Sequence, residues 1–174
     1  MPSRDTLRRK ENCFRLAEKV ISQINFEIEQ IDQLLASYAE LLERVQKTEP
    51  NLVETTAVAS VLHSFYNGLE NVFLSIAKGF DGNVPRGSQW HRDLLTRMTE
   101  SRTNRMPALT VDTSHRLADY LGFRHFYRHS YSFSLEWDEM EKLVTPLSEV
   151  WAQTKKEIEI FVRDLNSRNA PSEK

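Results

Sequence analysis

Apolar residues recur at alternating spacings of three and four through Phe14, Ala17, Ile21, Ile24, Ile28, Ile31, Leu35, Tyr38, Leu42 and Val45. The repeat predicts a long amphipathic helix with a narrow apolar seam, starting near a cap at Asp5 and ending before Pro50. Such a seam can serve a coiled coil, but later segments offer it partners within the same molecule. A second stripe, Leu62, Phe65, Leu69, Val72 and Ile76, predicts a helix from about residue 52 to 78, with Gly79 as its stop.

Three of the five glycines fall between Gly79 and Ser88, which predicts a loop. A short helix is expected from about Trp90 to Glu100, and an irregular stretch around Pro107. Asp112 or Ser114 can cap the next helix, whose body carries Leu117, Tyr120 and Leu121. The last periodic run, Trp137, Met140, Val144, Leu147, Trp151, Thr154, Ile158, Phe161 and Leu165, continues across Pro146. It predicts either a kinked helix or a short helix followed at once by a longer one beginning at Thr145 and Pro146. No alternating strand pattern or hairpin turn occurs. The expected fold is all-α: an up-and-down helical bundle of four main helices plus a short extra helix. It forms one domain over residues 1–166, with a polar, disordered tail at 167–174.

The 174 residues suffice for one domain with its own core. No apolar run reaches the roughly 18 positions of a membrane span, and no signal-peptide core follows the basic start, so a cytoplasmic protein is expected. A single cysteine, Cys13, excludes an intramolecular disulfide and reads as a small helix residue. The net charge of −2 is unevenly spread. Arg86, Arg92, Arg97, Arg102 and Arg105 form one basic stretch with His91. His115, Arg116, Arg124, His125, Arg128 and His129 form another. If the two meet in space they can hold a polyanion; otherwise they are solvated helix faces.

The second stretch carries the chemistry. Arg124 to Tyr131 packs two arginines, two histidines and two tyrosines into eight positions. Arginine presents a fixed fork of donors to phosphate oxygens, and histidine moves a proton near neutral pH, so the segment points to phosphodiester chemistry. On a regular helix Arg124, Arg128 and Tyr131 lie within about 60° of one another, whereas Arg124 and His129 are about 140° apart. A helix break around Arg128 to Ser130, or a symmetric dimer with a shared cleft, is needed to aim both at one phosphate. The poor helix formers of Ser130 to Ser134 favour the break.

Arg124-x-x-x-x-His129-x-Tyr131 resembles the R-x-x-x-x-H-x-Y motif of HepT toxins, in the HEPN superfamily of helical, mostly dimeric, metal-independent ribonucleases. The stretch from Leu62 to Phe73, with Glu70, is similar to that family's second bundle helix. The resemblance implies an HEPN-like fold and the toxin of a type VII-like HEPN/MNT toxin–antitoxin pair. It also implies an endoribonuclease acting on tRNA or mRNA without metal or cofactor, as a homodimer. His129 would then be the proton-transfer residue, Arg124 the phosphate clamp, and His125 and Arg128 auxiliary RNA-binding groups. Tyr131 would accept AMP from a cognate MNT-type nucleotidyltransferase antitoxin, with Tyr127 packing instead. The chain departs from many family members in having His125 directly after the motif arginine, and in its long first helix and its Gly79 to Thr113 insertion.

Three other readings compete. His125 and His129, four apart, could be two metal ligands, with a third from His63, His91, His115 or an acid. Trp90 and His91 read as a packing anchor with a solvent-facing imidazole. The basic groups could be structural, pairing with Glu136, Asp138 or Glu139, or the chain could be a non-catalytic nucleotide- or partner-binding subunit of a nucleotidyltransferase.

Overall fold

A computed structural model describes residues 4–169. The side chains of Asp5, the expected cap, and of Cys13 lie outside the described part, as do residues 1–3 and 170–174. Among the described residues seven α-helices follow one another: α1 (Arg4–Ser37), α2 (Ala39–Val45), α3 (Leu52–Ile76), α4 (Trp90–Arg97), α5 (Val111–Tyr127), α6 (Trp137–Val144) and α7 (Leu147–Asn169). Among the described residues there is no strand, only an isolated bridge between Arg102 and Arg105. The fold is the all-α bundle the periodicity predicts. Its four long members are α1 with α2, α3, α5, and α6 with α7, and α4 is the short extra helix. No helix is long and apolar enough to cross a membrane among the described residues.

α3 is the central member and packs on α1, α2, α4, α5 and α6. Val58, Leu62, Phe65, Leu69, Val72, Phe73 and Ile76 have no solvent exposure, and Val61 and Tyr66 almost none, so this helix is apolar around most of its circumference. An Asn51–Glu54 capping box starts it, each side chain bonding the other's backbone N–H. Gly68 and Gly79 let α1 approach closely. A Cβ on Gly68 would meet Ile31 Cγ1 at 2.8 Å, and one on Gly79 would meet Val20 Cγ2 at 2.4 Å.

Several boundaries differ from expectation for identifiable reasons. The first helix is broken at Tyr38, just after Ser37, whose hydroxyl donates back to the Gln33 carbonyl, a bond that bends helices. Gly79 is not a stop: the chain passes through it in a π-helical turn, Ala77–Asp81, and reverses at Gly82 with φ of 73°. α4 ends at Arg97, short of Glu100. Pro146 separates α6 from α7, giving the second of the two expected geometries. α7 runs on to Asn169, so the first three residues of the expected tail are helical.

Tertiary bonds fix the helices around the motif. Trp151 Nε1 and Lys155 Nζ of α7 reach Asp32 of α1 at 2.8 and 2.6 Å. The Tyr120 hydroxyl donates to the Leu143 carbonyl at 2.8 Å, joining α5 to α6.

Candidate functional site

The start of α5 is set from outside the helix. Its cap is Thr110, not Asp112 or Ser114, and the Thr110 hydroxyl accepts from the Thr113 N–H. Glu157 of α7 selects that residue by accepting from the Thr110 N–H and hydroxyl and from the Thr113 hydroxyl. Burial pushes the Glu157 carboxyl up, but the bonds from Gln153, Thr110 and Thr113 outweigh it and leave its pKa below the usual value.

From there Leu117, Tyr120, Leu121 and Arg124 face the core at spacings of three and four, so the motif arginine occupies a core position. It is only 8% exposed. Arg124 Nε donates to Asn67 Oδ1 at 2.5 Å, and Nη2 lies 2.9 Å from Glu70 Oε2. The other Glu70 oxygen bonds His91 Nδ1. A carboxylate only accepts, so His91 Nδ1 carries the proton and cannot also accept from Arg124 Nη1, which lies 3.5 Å away. Arg124 is therefore anchored through Nε and Nη2, and Nη1 is uncommitted.

This corrects several readings. Arg124 is not an open surface cation, and its acid is Glu70 rather than Glu136, Asp138 or Glu139. His91 is a buried member of the network with Trp90 stacked on it at 3.6 Å, not a solvent-facing imidazole. Arg105, counted with the first basic stretch, is 1% exposed and ion-paired with Asp81. Arg97 and Arg102 are also engaged, with Asn83 and Glu100. The two basic stretches do meet, since α4 packs on α5. Between them a groove of about 490 Å³ is lined by His91, Arg92, His115 and His125. His125 sits edge-on to His91 at 5.1 Å. Burial first, then the neighbouring His91 and Arg124, hold its pKa below the usual histidine value.

The helix breaks where expected. α5 ends at Tyr127, Arg128 is its C-cap, and the N–H groups of His129 and Ser130 bond the Phe126 and Tyr127 carbonyls in tight turns. Tyr131 is extended, and a 3₁₀ turn follows over Ser132–Ser134. His129 is exposed, Tyr131 is 73% exposed and stacks on Phe133, and Tyr127 packs on His63 and Phe123. Among the described residues no bond, ion pair or ring contact joins His129 to Arg124. No group of three His, Cys, Asp or Glu residues there could hold a metal ion.

Asn67, Glu70 and His91 are the residues that sequence reasoning left without a role at the site. Asn67 and Glu70 lie three apart on one face of a largely buried helix, a detectable signal. His91 lies in the insertion, and the sequence pointed to it only as a possible metal ligand or a packing anchor, not as a partner of Glu70.

The family model described as "HepT-like protein" matches residues 57–165, which contain the whole network and the motif. No curated protein matches the chain, and no solved structure does. With more than half its length matched, the chain belongs to the HepT-like protein family, within the HEPN superfamily.

Proposed function

We propose that the protein is the toxin of a type VII-like HEPN/MNT pair, a metal-independent endoribonuclease that works as a homodimer. The observation that carries this reading is the incomplete saturation of Arg124. A buried guanidinium fixed at Nε and Nη2 with Nη1 left over is preorganised to receive one phosphate oxygen and to offset charge developing on it. His129, exposed in the turn two residues beyond α5, is free to move the proton of a ribose 2′-hydroxyl or of the leaving oxygen. A cyclic phosphate is the expected product. Because His129 and Arg124 do not touch within one chain, the second protomer completes the cleft. The exposed Phe126 and Phe133 beside the motif supply apolar surface for that contact.

His125 and Arg128 are auxiliary contacts to the RNA backbone. Tyr131 projects into solvent, where an MNT-type nucleotidyltransferase antitoxin can reach it. An added AMP there brings negative charge and bulk beside His129, which opposes RNA binding.

His129→Ala should lower cleavage of RNA by about 10²- to 10⁴-fold while the circular dichroism spectrum stays helical. Wild-type cleavage by that variant overturns the mechanism, and inhibition by EDTA that added metal reverses replaces it with a metalloenzyme. The separation of His129 from Arg124 within one chain also suits a second reading, a non-catalytic nucleotide- or partner-binding subunit. A purified wild-type dimer that binds RNA or nucleotide but yields no cyclic phosphate ends decides for it.

A further inference from the structure

The bond between Arg124 and Asn67 fixes more than the guanidinium. Arginine only donates, so the Asn67 atom facing Nε is the carbonyl oxygen, and the amide nitrogen points elsewhere. That Nδ2 lies 2.9 Å from His63 Nε2. An amide nitrogen also only donates, so His63 Nε2 is the acceptor and carries no proton. His63 is thus the neutral tautomer with its proton on Nδ1, and this Nδ1–H is buried without a partner. A buried donor left orphaned is costly and uncommon, so one on a ring that borders a cavity points to an acceptor that the ring meets when the cavity is filled.

His63 does line a cavity, of about 310 Å³, together with Tyr127, Arg128, Ser130 and Ser132. The Ser130 hydroxyl is already spent on the Phe126 carbonyl at 2.8 Å. The hydroxyls of Tyr127 and Ser132 make no hydrogen bond among the described residues, and Arg128 has no carboxylate partner there. No acidic residue lines the space. The charges acting on the His63 ring are the cations Arg124 and Arg128. A cavity that offers free donors, a guanidinium and no carboxylate is built for an anion.

We propose that this cavity is a phosphate subsite in which His63 Nδ1–H, the Arg128 guanidinium and the Tyr127 and Ser132 hydroxyls hold one phosphate oxyanion. Its identification with an RNA backbone phosphate adjoining the cleaved one rests on the function proposed above; the subsite itself does not. Asn67 ties the two positions together, because the same amide accepts from the Arg124 clamp and sets the tautomer of His63.

The test is long-range proton–nitrogen spectroscopy of the full chain labelled in histidine, with His63 assigned by its loss in His63→Gln. The free protein should show His63 as the Nδ1–H tautomer. Inorganic phosphate, added against chloride at matched ionic strength, should move its Nδ1 resonance saturably, and Arg128→Ala should abolish that saturation. A non-cleavable 2′-O-methyl RNA should move the same resonance, and Arg128→Ala should lower the salt dependence of RNA binding by about one counterion. An Nε2–H tautomer, or a resonance unmoved by both phosphate and RNA, overturns the subsite. Movement by inorganic phosphate but not by RNA upholds it while overturning RNA as the source, and AMP then becomes the probe for a free nucleotide. Loss of the RNase reading alone leaves the phosphate arm intact.

Discussion

Among the described residues two arginines are buried, and they are used differently. Arg105 has all five of its N–H donors occupied. Nε and Nη2 hold Asp81 at 2.7 and 2.9 Å, and the remaining donors reach the carbonyls of Arg97, Glu100 and Met106. Both members of that ion pair are fully enclosed. Arg124 is nearly as deep, yet its Nη1 has only the proton-bearing nitrogen of His91 nearby. A saturated guanidinium can only hold structure together, and a partly saturated one holds a donor in reserve for something that arrives.

The sharpest way to break this contrast is to strip each arginine's environment in turn. Asp81→Ala leaves the Arg105 charge enclosed without its counterion and should cost about 3–5 kcal/mol of stability, measured by urea denaturation. RNA cleavage per folded molecule should be unchanged. Arg124→Gln should cost less, about 1–3 kcal/mol, because Glu70 keeps His91 as a partner. That variant should lose about 10²-fold or more in cleavage. Equal stability losses with undiminished cleavage would make Arg124 a second structural arginine and remove the basis of the proposed site.

A saturated acceptor sharpens the same point. Glu157 receives bonds from Gln153, Thr113 and both donors of Thr110, and its pKa lies below the usual carboxylate value despite burial. A depressed carboxyl pKa gives stability that is present above the unfolded value of about 4.3 and is lost as pH falls through the folded one. Thr113→Val removes one donor and should cost about 1 kcal/mol at pH 7, with the gap between variant and wild type closing in acid. A gap that persists at the lowest pH where both remain folded would mean the loss comes from packing, not from the carboxylate.

How much of this was legible in the sequence follows from the same distinction. The apolar stripes of α1, α3 and α7 could be read because periodicity is local, and the motif because its residues are contiguous. The break after Arg128 was visible in the poor helix formers that follow. Whether a basic residue is free was not legible, because it depends on partners far along the chain. Arg105 finds Asp81 through the π-helical turn after α3, and Arg124 finds Glu70 and Asn67 on another helix. The choice of Thr110 over Asp112 as cap was hidden similarly, since Glu157 on α7 decides it. Gly79 misled because glycine after a helix commonly ends it, whereas here the missing Cβ makes room for Val20.

The smallest expected effect concerns His63, which stands between the two arginines in kind: one ring nitrogen is satisfied by Asn67 and the other is not. Burial first, then the cations Arg124 and Arg128, hold its pKa below the ordinary histidine value. The folded state therefore resists protonation at a pH where the unfolded chain accepts it. The contribution to stability is full above about 6.5 and declines as pH falls through the folded pKa. Arg128→Ala removes one of the two cations and should raise the His63 midpoint, read as a shift in its nitrogen titration curve, with little change in stability at pH 8. Arg124→Gln should raise it as well. If neither substitution moves the midpoint, the two arginines do not act on this ring, and the contrast between saturated and reserved donors does not extend past Asn67.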